Sequence, residues 1–455
     1  MCIRDRFFQG FDALAANPTD QAVRVTLRDT GARLVSLLQG RSARFDQLQA
    51  DFTTQIQQQV GTANGLIGQV AEVNRQILTL GGRPTPNDLL DKRDHLVDQL
   101  NVIVGVTATD RPNGTVQLAV TGSGVLLVDG DRTARLTTTR NQATDTVDLS
   151  AGGVPVTPTG GGLSATLSMR NSPTDAVKQA AASLDTLAAA VITEVNRLHA
   201  SGTGLVEHAQ LTSLNPVNSA SAPLGTAAGL PFQPNTGSFE VIVHSATGSV
   251  VSRTTVSVTA GVTSLDDIAA AIDANPALSA GVSGGALSIA AGSGQTFTFA
   301  RDTSGALAAL GLNVFFSGTG AKSIALAPTI AADANKIATG RADAQGLVHA
   351  GDGVQAQALA GLRSSLLMGG GTATFSDFIG TAIGTVGSRA REANDAVDRQ
   401  TAALGVVQNL QQQVSGVSVD EEMIALTQAQ ASYAAAAKFM VATQDMLTTL
   451  LGMMV

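Results

Sequence analysis

The chain has 455 residues and a formal net charge of −8, with 44% hydrophobic residues but no tryptophan, one tyrosine and only 3% aromatics. Such a length holds about two to four domains, and their cores must be built from Ala, Leu, Val and Ile, which suits slender helical bundles and small β modules. Five of the 28 basic residues are lysines, and no basic run exists that could follow a phosphate backbone, so nucleic acid is excluded as a partner.

The single cysteine, Cys2, excludes an intrachain disulfide and a cysteine-rich metal site. No apolar run reaches the length of a membrane span, and the C-terminal stretch that comes nearest carries Lys438 and Asp445. Met1 to Arg6 contain no apolar core of a cleaved secretory signal.

In chain order, residues 7 to about 40 read as one or two helices broken at Asn17-Pro18, with Thr19 or Asp20 as the next cap. From Phe45 to Leu80 apolar residues recur at threes and fours, with a Gln-rich opposite face, which predicts a rod with one sticky side. Gly81-Gly82-Arg83-Pro84 ends it, and a shorter helix follows from about Asp88 to Ile103. From Val104 to about Thr166 β-branched and polar residues alternate, with turns at Asn113-Gly114 and Asp129-Gly130 and the best strands at 116–120 and 125–128. Gly160-Gly161-Gly162 then returns the chain to a helix over roughly Pro173 to His199.

Residues 205–235 form a Pro/Gly/Ser/Asn-rich connector. A second β module spans Gly237 to about Pro328, with strands at 239–243, 256–258, 286–290 and 297–300. It includes a short helix in which Ser264 stands three residues before Asp267, and a small helix at 307–310. After Gly340 the pattern reads as helical to the end, with a long seam from Ser376 to Val414.

The last forty residues carry the clearest pattern. Ser418 lies three residues before Glu421, the reciprocal cap of a helix start, and Asp420, Glu421 and Glu422 place negative charge at the positive end of the helix dipole. One face then runs at alternating threes and fours through Val419, Met423, Leu426, Gln430, Tyr433, Ala437, Met440, Gln444, Leu447, Leu451 and Met454. Spacing of that kind describes a seam that requires a partner helix, on a rod of roughly 55 Å.

No catalytic, cofactor or metal constellation is present. His95, His199, His208, His244 and His349 stand in unlike contexts without metal-ligand spacing, and His95 reads as a solvated surface residue. The glycine clusters at 122–124, 160–162 and 369–371 lack the Lys-Ser/Thr of a phosphate loop and read as turns. The acidic triplet 420–422 reads as a helix-dipole element rather than a Ca²⁺ or catalytic cluster.

The fold class that follows is α+β multidomain, with long terminal α-helices forming a coiled-coil-like bundle and β-rich modules inserted in the middle. The boundaries predicted are a helical rod half at 1–104, a first β module at 105–166, a returning helix at 167–204, a linker and second β module at 205–340, and a C-terminal rod half at 341–455.

Several stretches resemble the flagellar hook-associated protein 1 family. Asp88-Leu-Leu-Asp91-Lys-Arg93-Asp94-His-Leu-Val97 is similar to that family's Asp-Leu-Leu-Asp-x-Arg-Asp-x-Leu-Val helix. Ser415 to Glu422 is similar to the Ser-Gly-Val-Asn-x-Asp-Glu-Glu that opens its last helix, a motif shared in part with flagellins and hook proteins. Phe7-Phe8 through Asn17-Pro18 matches a third segment, and 307–316 and 323–340 follow the family's later β module and its exit.

The resemblance implies a structural, non-enzymatic component of the bacterial flagellum that joins hook to filament. It implies a homo-oligomer in the flagellar axis, contacting the hook protein and the second junction protein. It further implies type III export without a cleaved signal and a cytoplasmic chaperone that holds the C-terminal helix. Because family members carry a helical segment ahead of the Phe-Phe motif, the resemblance also implies a natural start upstream of residue 7. The alternatives are another axial flagellar protein, flagellin-like or the second junction protein, or a secreted adhesin or hydrolase on a helical stalk.

Overall fold

The computed structural model describes residues 3–80, 87–415 and 419–452. They fall into two compact units, Met1–Gly384 and Thr385–Val455. Helix α1 (Ile3–Ala16) stops at Asn17-Pro18, and α2 (Gln21–Thr79) starts behind Asp20. The Asp20 carboxylate accepts the backbone N–H groups of Ala22 and Val23 at 2.7 and 3.2 Å, so of the two predicted caps the second is used.

Residues 21–79 form one helix of 59 residues, where the sequence pattern suggests a helix to about 40 and another from 45. A lone Gly40 costs a helix only about 1 kcal/mol, and buried Leu34, Val35 and Leu38 hold the turns before it.

The two ends of α2 serve different cores. Leu27, Leu34, Val35 and Leu38 join the larger core, whereas Ile56 to Ile77 join the core of the first β module. The sticky side predicted for this rod is closed within the chain from Ile56 onward, and Phe45, Leu48 and Phe52 are half-buried.

What covers it is α3 (Asn87–Val104), a meander of β1 (Val106–Asp110), β2 (Val116–Val120), β3 (Leu126–Asp129) and β4 (Arg132–Thr133), and a smaller sheet of β5 (Leu136–Asn141), β6 (Thr146–Ala151) and β7 (Val154–Pro155). Helix α4 (Gly161–Asn171) completes the cover, occupying residues that the sequence pattern leaves partly as strand and partly as turn. Its N-cap is Gly160, with no side-chain cap bond, so no cap signature exists to read. Helix α5 (Ala176–Ala200) follows behind Asp175.

Asparagines on the helices bracket the strand ends. Asn74 Nδ2 donates to the carbonyls of Val116 and Gly130, both at 2.8 Å, and its Oδ1 accepts the Val116 N–H at 3.0 Å. Asn64 does the same for both backbone groups of Leu136, and Asn171 for those of Val147. On α5, Asn196 takes the N–H groups of Phe315 and Phe316 and the Phe316 carbonyl. Each bracket satisfies edge groups that would otherwise be buried bare. Asn74→Ala should therefore cost about 2–4 kcal/mol, because Asn74 is fully buried and its loss leaves three backbone groups unpaired. A shift of the urea midpoint at unchanged slope checks it.

In the connector, β8 (Gln210–Thr212) joins the second module, where β9 (Gly237–His244) lies between β10 (Val250–Val258) and β13 (Thr296–Ala300). A second sheet runs β11 (Leu278–Ser283), β12 (Ala286–Ala291), β8, and an antiparallel bridge between His208 and Phe297 links the two. Helix α6 (Leu265–Asp273) begins with the Ser264–Asp267 capping box expected from the sequence. Beyond it come α7 (Ala306–Leu310), β14 (Phe316–Ser317), β15 (Ala325–Leu326) and α8 (Pro328–Ala332).

After Gly340 the chain does not become helical at once. Residues 341–353 are irregular, because Asp343 and Asp352 bond nearby backbone N–H groups and so compete with the helix. Helix α9 (Val354–Gly361) follows, then a turn closed between Met368 and Ala373, then α10 (Phe375–Ser415). Phe7, Phe8 and Phe11 of α1 interlock with Phe315, Phe316 and Phe375, with ring centroids 4.8 to 5.9 Å apart, which ties both ends of the first unit to its middle.

Candidate assembly surface

The last helix, α11 (Val419–Gly452), has Asp420, Glu421 and Glu422 in its first turn and an alanine run at 434–437. Of the residues predicted for its seam and cap, Ser418 and Met454 lie outside the described residues. Val419, Leu447 and Leu451 belong to the helix backbone. Met423, Leu426, Tyr433 and Met440 are 54–80% exposed.

The seam is not the whole of the apolar surface. Ile424, Phe439, Val441 and Met446 are also exposed, and at 100° per residue Ile424, Phe439 and Met446 lie on the face opposite the seam. The charged residues Asp420, Lys438 and Asp445 fall with Thr427 on one narrow line between these faces. A helix apolar over most of its circumference is a buried helix. Helix α10 also exposes Ile383, Val386, Val397, Leu404 and Val407 along one line, with Val406 and Leu410 exposed off it.

The motif helix α3 has a different task. Asp91 is exposed, whereas Arg93 is buried and donates through Nη1 to the Gly114 carbonyl at 2.8 Å and through Nε to Asp94 at 2.8 Å. Its Nη2 also lies 3.2 Å from Asp110. Arg93 therefore fixes the β1–β2 hairpin onto α3, a role inside the fold.

His199 and His208 converge on Asn313, whereas His95 stands apart from them. His95 is exposed and contacts Gln99, in keeping with a solvated residue. His199 is buried between the Asn313 carbonyl at 2.8 Å and the Ala338 N–H, which donates to Nε2 at 2.9 Å, so its proton sits on Nδ1. His208 meets Asn313 Oδ1 at 3.1 Å. Burial pushes both rings down to about 4. Among the described residues no group of three His, Cys, Asp or Glu side chains could hold a metal ion, and no described helix is long and apolar enough to cross a membrane.

Comparison with known proteins follows the same lines. Residues 4–211 match the family model of the flagellar hook-associated protein FlgK helical domain, and residues 411–453 match that of the flagellar basal body rod FlgEFG protein C-terminal region. Flagellar hook-associated protein 1 of Escherichia coli (strain K12) is 26% identical over 459 residues, covering 95% of this chain and 77% of that protein. The Salmonella typhimurium protein of the same name is 32% identical over 163 residues, or 33% of this chain and 29% of that one. The flagellar hook junction protein FlgK from Burkholderia pseudomallei has a similar fold, with a TM-score of 0.58 at 19% identity over 91% of this chain and 93% of that one. The chain is thus similar to flagellar hook-associated protein 1 over nearly its whole length, with the FlgK helical-domain match in its first half and the axial-protein match in its last helix.

Proposed function

We propose that this chain is a structural component of the flagellar hook–filament junction and that it assembles through its C-terminal helix. The observation that carries the reading is α11, whose described apolar side chains are exposed on two opposite faces while the comparable stripe on α2 is covered by the chain's own first β module. In the axis both faces would be covered by helices of further copies, with the polar line between them left to water. The hook protein and the second junction protein are the neighbours on either side. Before export without a cleaved signal, a cytoplasmic chaperone would shield the same helix. The chain then acts by joining polymers and catalyses nothing.

The test is attachment to isolated hooks, followed by electron microscopy with an antibody to the β modules. The full chain should decorate hook ends, and a chain lacking residues 419–455 should not, while retaining the circular dichroism of its β modules. Normal decoration by the truncated chain would overturn the reading.

A further inference from the structure

Residues 341–353 form a strap between α8 and α9 of the first unit. It leaves the larger core at Gly340, lies over Ile242 and Ala300 on the outer face of the β10-β9-β13 sheet, and rejoins the core at α9. The strap folds around Asp343, whose Oδ1 accepts the N–H groups of Gln345 and Leu347, each at 2.9 Å. Asp343 Oδ2 faces His349 Nε2 at 2.8 Å. Gly346, at φ +89°, lies so close to the sheet that a Cβ there would stand 2.7 Å from Arg253 Nη2 and 3.3 Å from Ile242.

Three side chains of the sheet hold the strap by its carbonyls. Arg301 Nη2 donates to Asp343 O at 3.1 Å and Arg253 Nη2 to Ala344 O at 3.2 Å, and both arginines are also paired with Glu240. The third is His244, 1% exposed, with Nε2 at 2.8 Å from Gly346 O. Its other nitrogen, Nδ1, lies 2.9 Å from Glu207 Oε1, a charge contact off the line of a good hydrogen bond.

A neutral imidazole carries one N–H and an imidazolium carries two. With a carbonyl at one nitrogen and a carboxylate at the other, only the imidazolium satisfies both. On deprotonation the ring has one proton for the two contacts, and the charged Glu207 carboxylate competes for it with the Gly346 carbonyl. Whenever the proton sits on Nδ1, the Nε2 lone pair faces the Gly346 carbonyl across a nearly dry contact.

We propose that His244 is a pH-sensitive catch for this strap: as imidazolium it clasps residues 341–353 to the sheet, and as neutral imidazole it lets go of Gly346. The charged groups around it are consistent with that direction. Glu207 is held by Thr296 Oγ1 at 2.5 Å and, through its backbone carbonyl, by Lys336 Nζ at 2.7 Å, with His208 next in sequence. On the sheet stand Arg253, Arg301 and Glu240, and in the strap Asp343 with His349. Burial works against the charged ring, but Glu207 and the Gly346 carbonyl outweigh it and hold His244 above its ordinary 6.5. A base raised in the folded state stabilises fully below its unfolded value and loses that contribution as pH rises through the folded value. The clasp is therefore complete in mild acid and is lost on the alkaline side.

Hydrogen–deuterium exchange of the full chain between pH 6 and 9, with times scaled for the intrinsic rate, tests this. Protection of peptides covering 341–353 should fall several-fold across the range, while peptides of β13 stay protected. His244→Gln, which keeps an amide donor toward Gly346 but does not titrate, should flatten the response, whereas His349→Gln should leave it in place. Constant wild-type protection over that range overturns the proposal, as does an equal pH response in His244→Gln.

Discussion

A chain carrying both Met423→Asp and Met440→Asp should stay folded through Gly384 and fail to polymerise. In the single chain these side chains are 58% and 68% exposed, where a polar replacement costs within about 0.5 kcal/mol. In the assembled axis each would place an unpaired carboxylate among apolar helices, costing several kcal/mol. At about 1.4 kcal/mol per factor of ten, the two together should raise the concentration needed for polymerisation by at least about 10⁴. Thr427→Asp is the control, because Thr427 lies on the polar line and its hydroxyl donates to the Met423 carbonyl of its own helix, at 2.7 Å. Light scattering under polymerising conditions, with circular dichroism as the folding check, separates the cases. If Thr427→Asp were as defective as the double variant, or the double variant polymerised normally, the apolar faces of α11 would not be the interface.

The difference between α2 and α11 shows what the sequence can convey about such surfaces. Both have apolar residues at threes and fours, and periodicity finds the face without saying what covers it. On α2 the cover is the chain's own first β module, joined at Ile56 to Ile77 by residues from 96 to 167. On α11 the seam pattern even understates the surface, since Ile424, Phe439 and Met446 fall off a 3/4 stripe and are equally exposed.

Local chemistry was legible where it is local. The Ser264–Asp267 box, the Asn113-Gly114 turn and the break at Asn17-Pro18 each depend on residues within a few positions of one another. Helix α4 and the strap at 341–353 were not, the first for want of a cap and the second because its carbonyls are held by Arg253, Arg301 and His244 from elsewhere in the chain. The α3 motif was legible as a family mark, but its physical role, Arg93 pinning the β1–β2 turn, needed the fold.

The second large effect concerns Arg24, which sequence alone would assign to a solvated helix face. Its side chain is 0% exposed and ties the start of α2 and the Pro18 turn to the segment at 337–339. Nε and Nη2 donate to the Pro18 carbonyl at 3.0 and 2.6 Å, Nη1 donates to Ile337 O at 2.8 Å, and Nη2 reaches Thr339 Oγ1 at 3.0 Å. Among the described residues no carboxylate bonds it directly. Burial lowers it to about 10, with the charge of Asp333 offsetting part of that, so it remains charged at neutral pH. Arg24→Met keeps the length and removes every donor, leaving buried acceptors bare on both sides of the junction, and should cost about 3–5 kcal/mol. Arg24→Lys should recover part of that loss, since one ammonium cannot reproduce the guanidinium fork.

The same region sets the acid limit of the fold, since Arg24 further disfavours a charge on His199. His199 and His208 are held near 4 in the folded chain against an ordinary 6.5. Between those values the unfolded chain binds protons that the folded chain refuses, so stability must fall as pH drops through that window. Each ring can contribute up to about 3 kcal/mol to that loss. His244 acts in the opposite sense, because its contribution is complete below 6.5. Urea midpoints at pH 7 and pH 5 should therefore show a marked acid loss in the wild type. They should show a smaller one in His199→Gln, whose pH 7 stability is already reduced. Equal acid losses in the two chains would mean that the Arg24–His199 region does not govern the acid response.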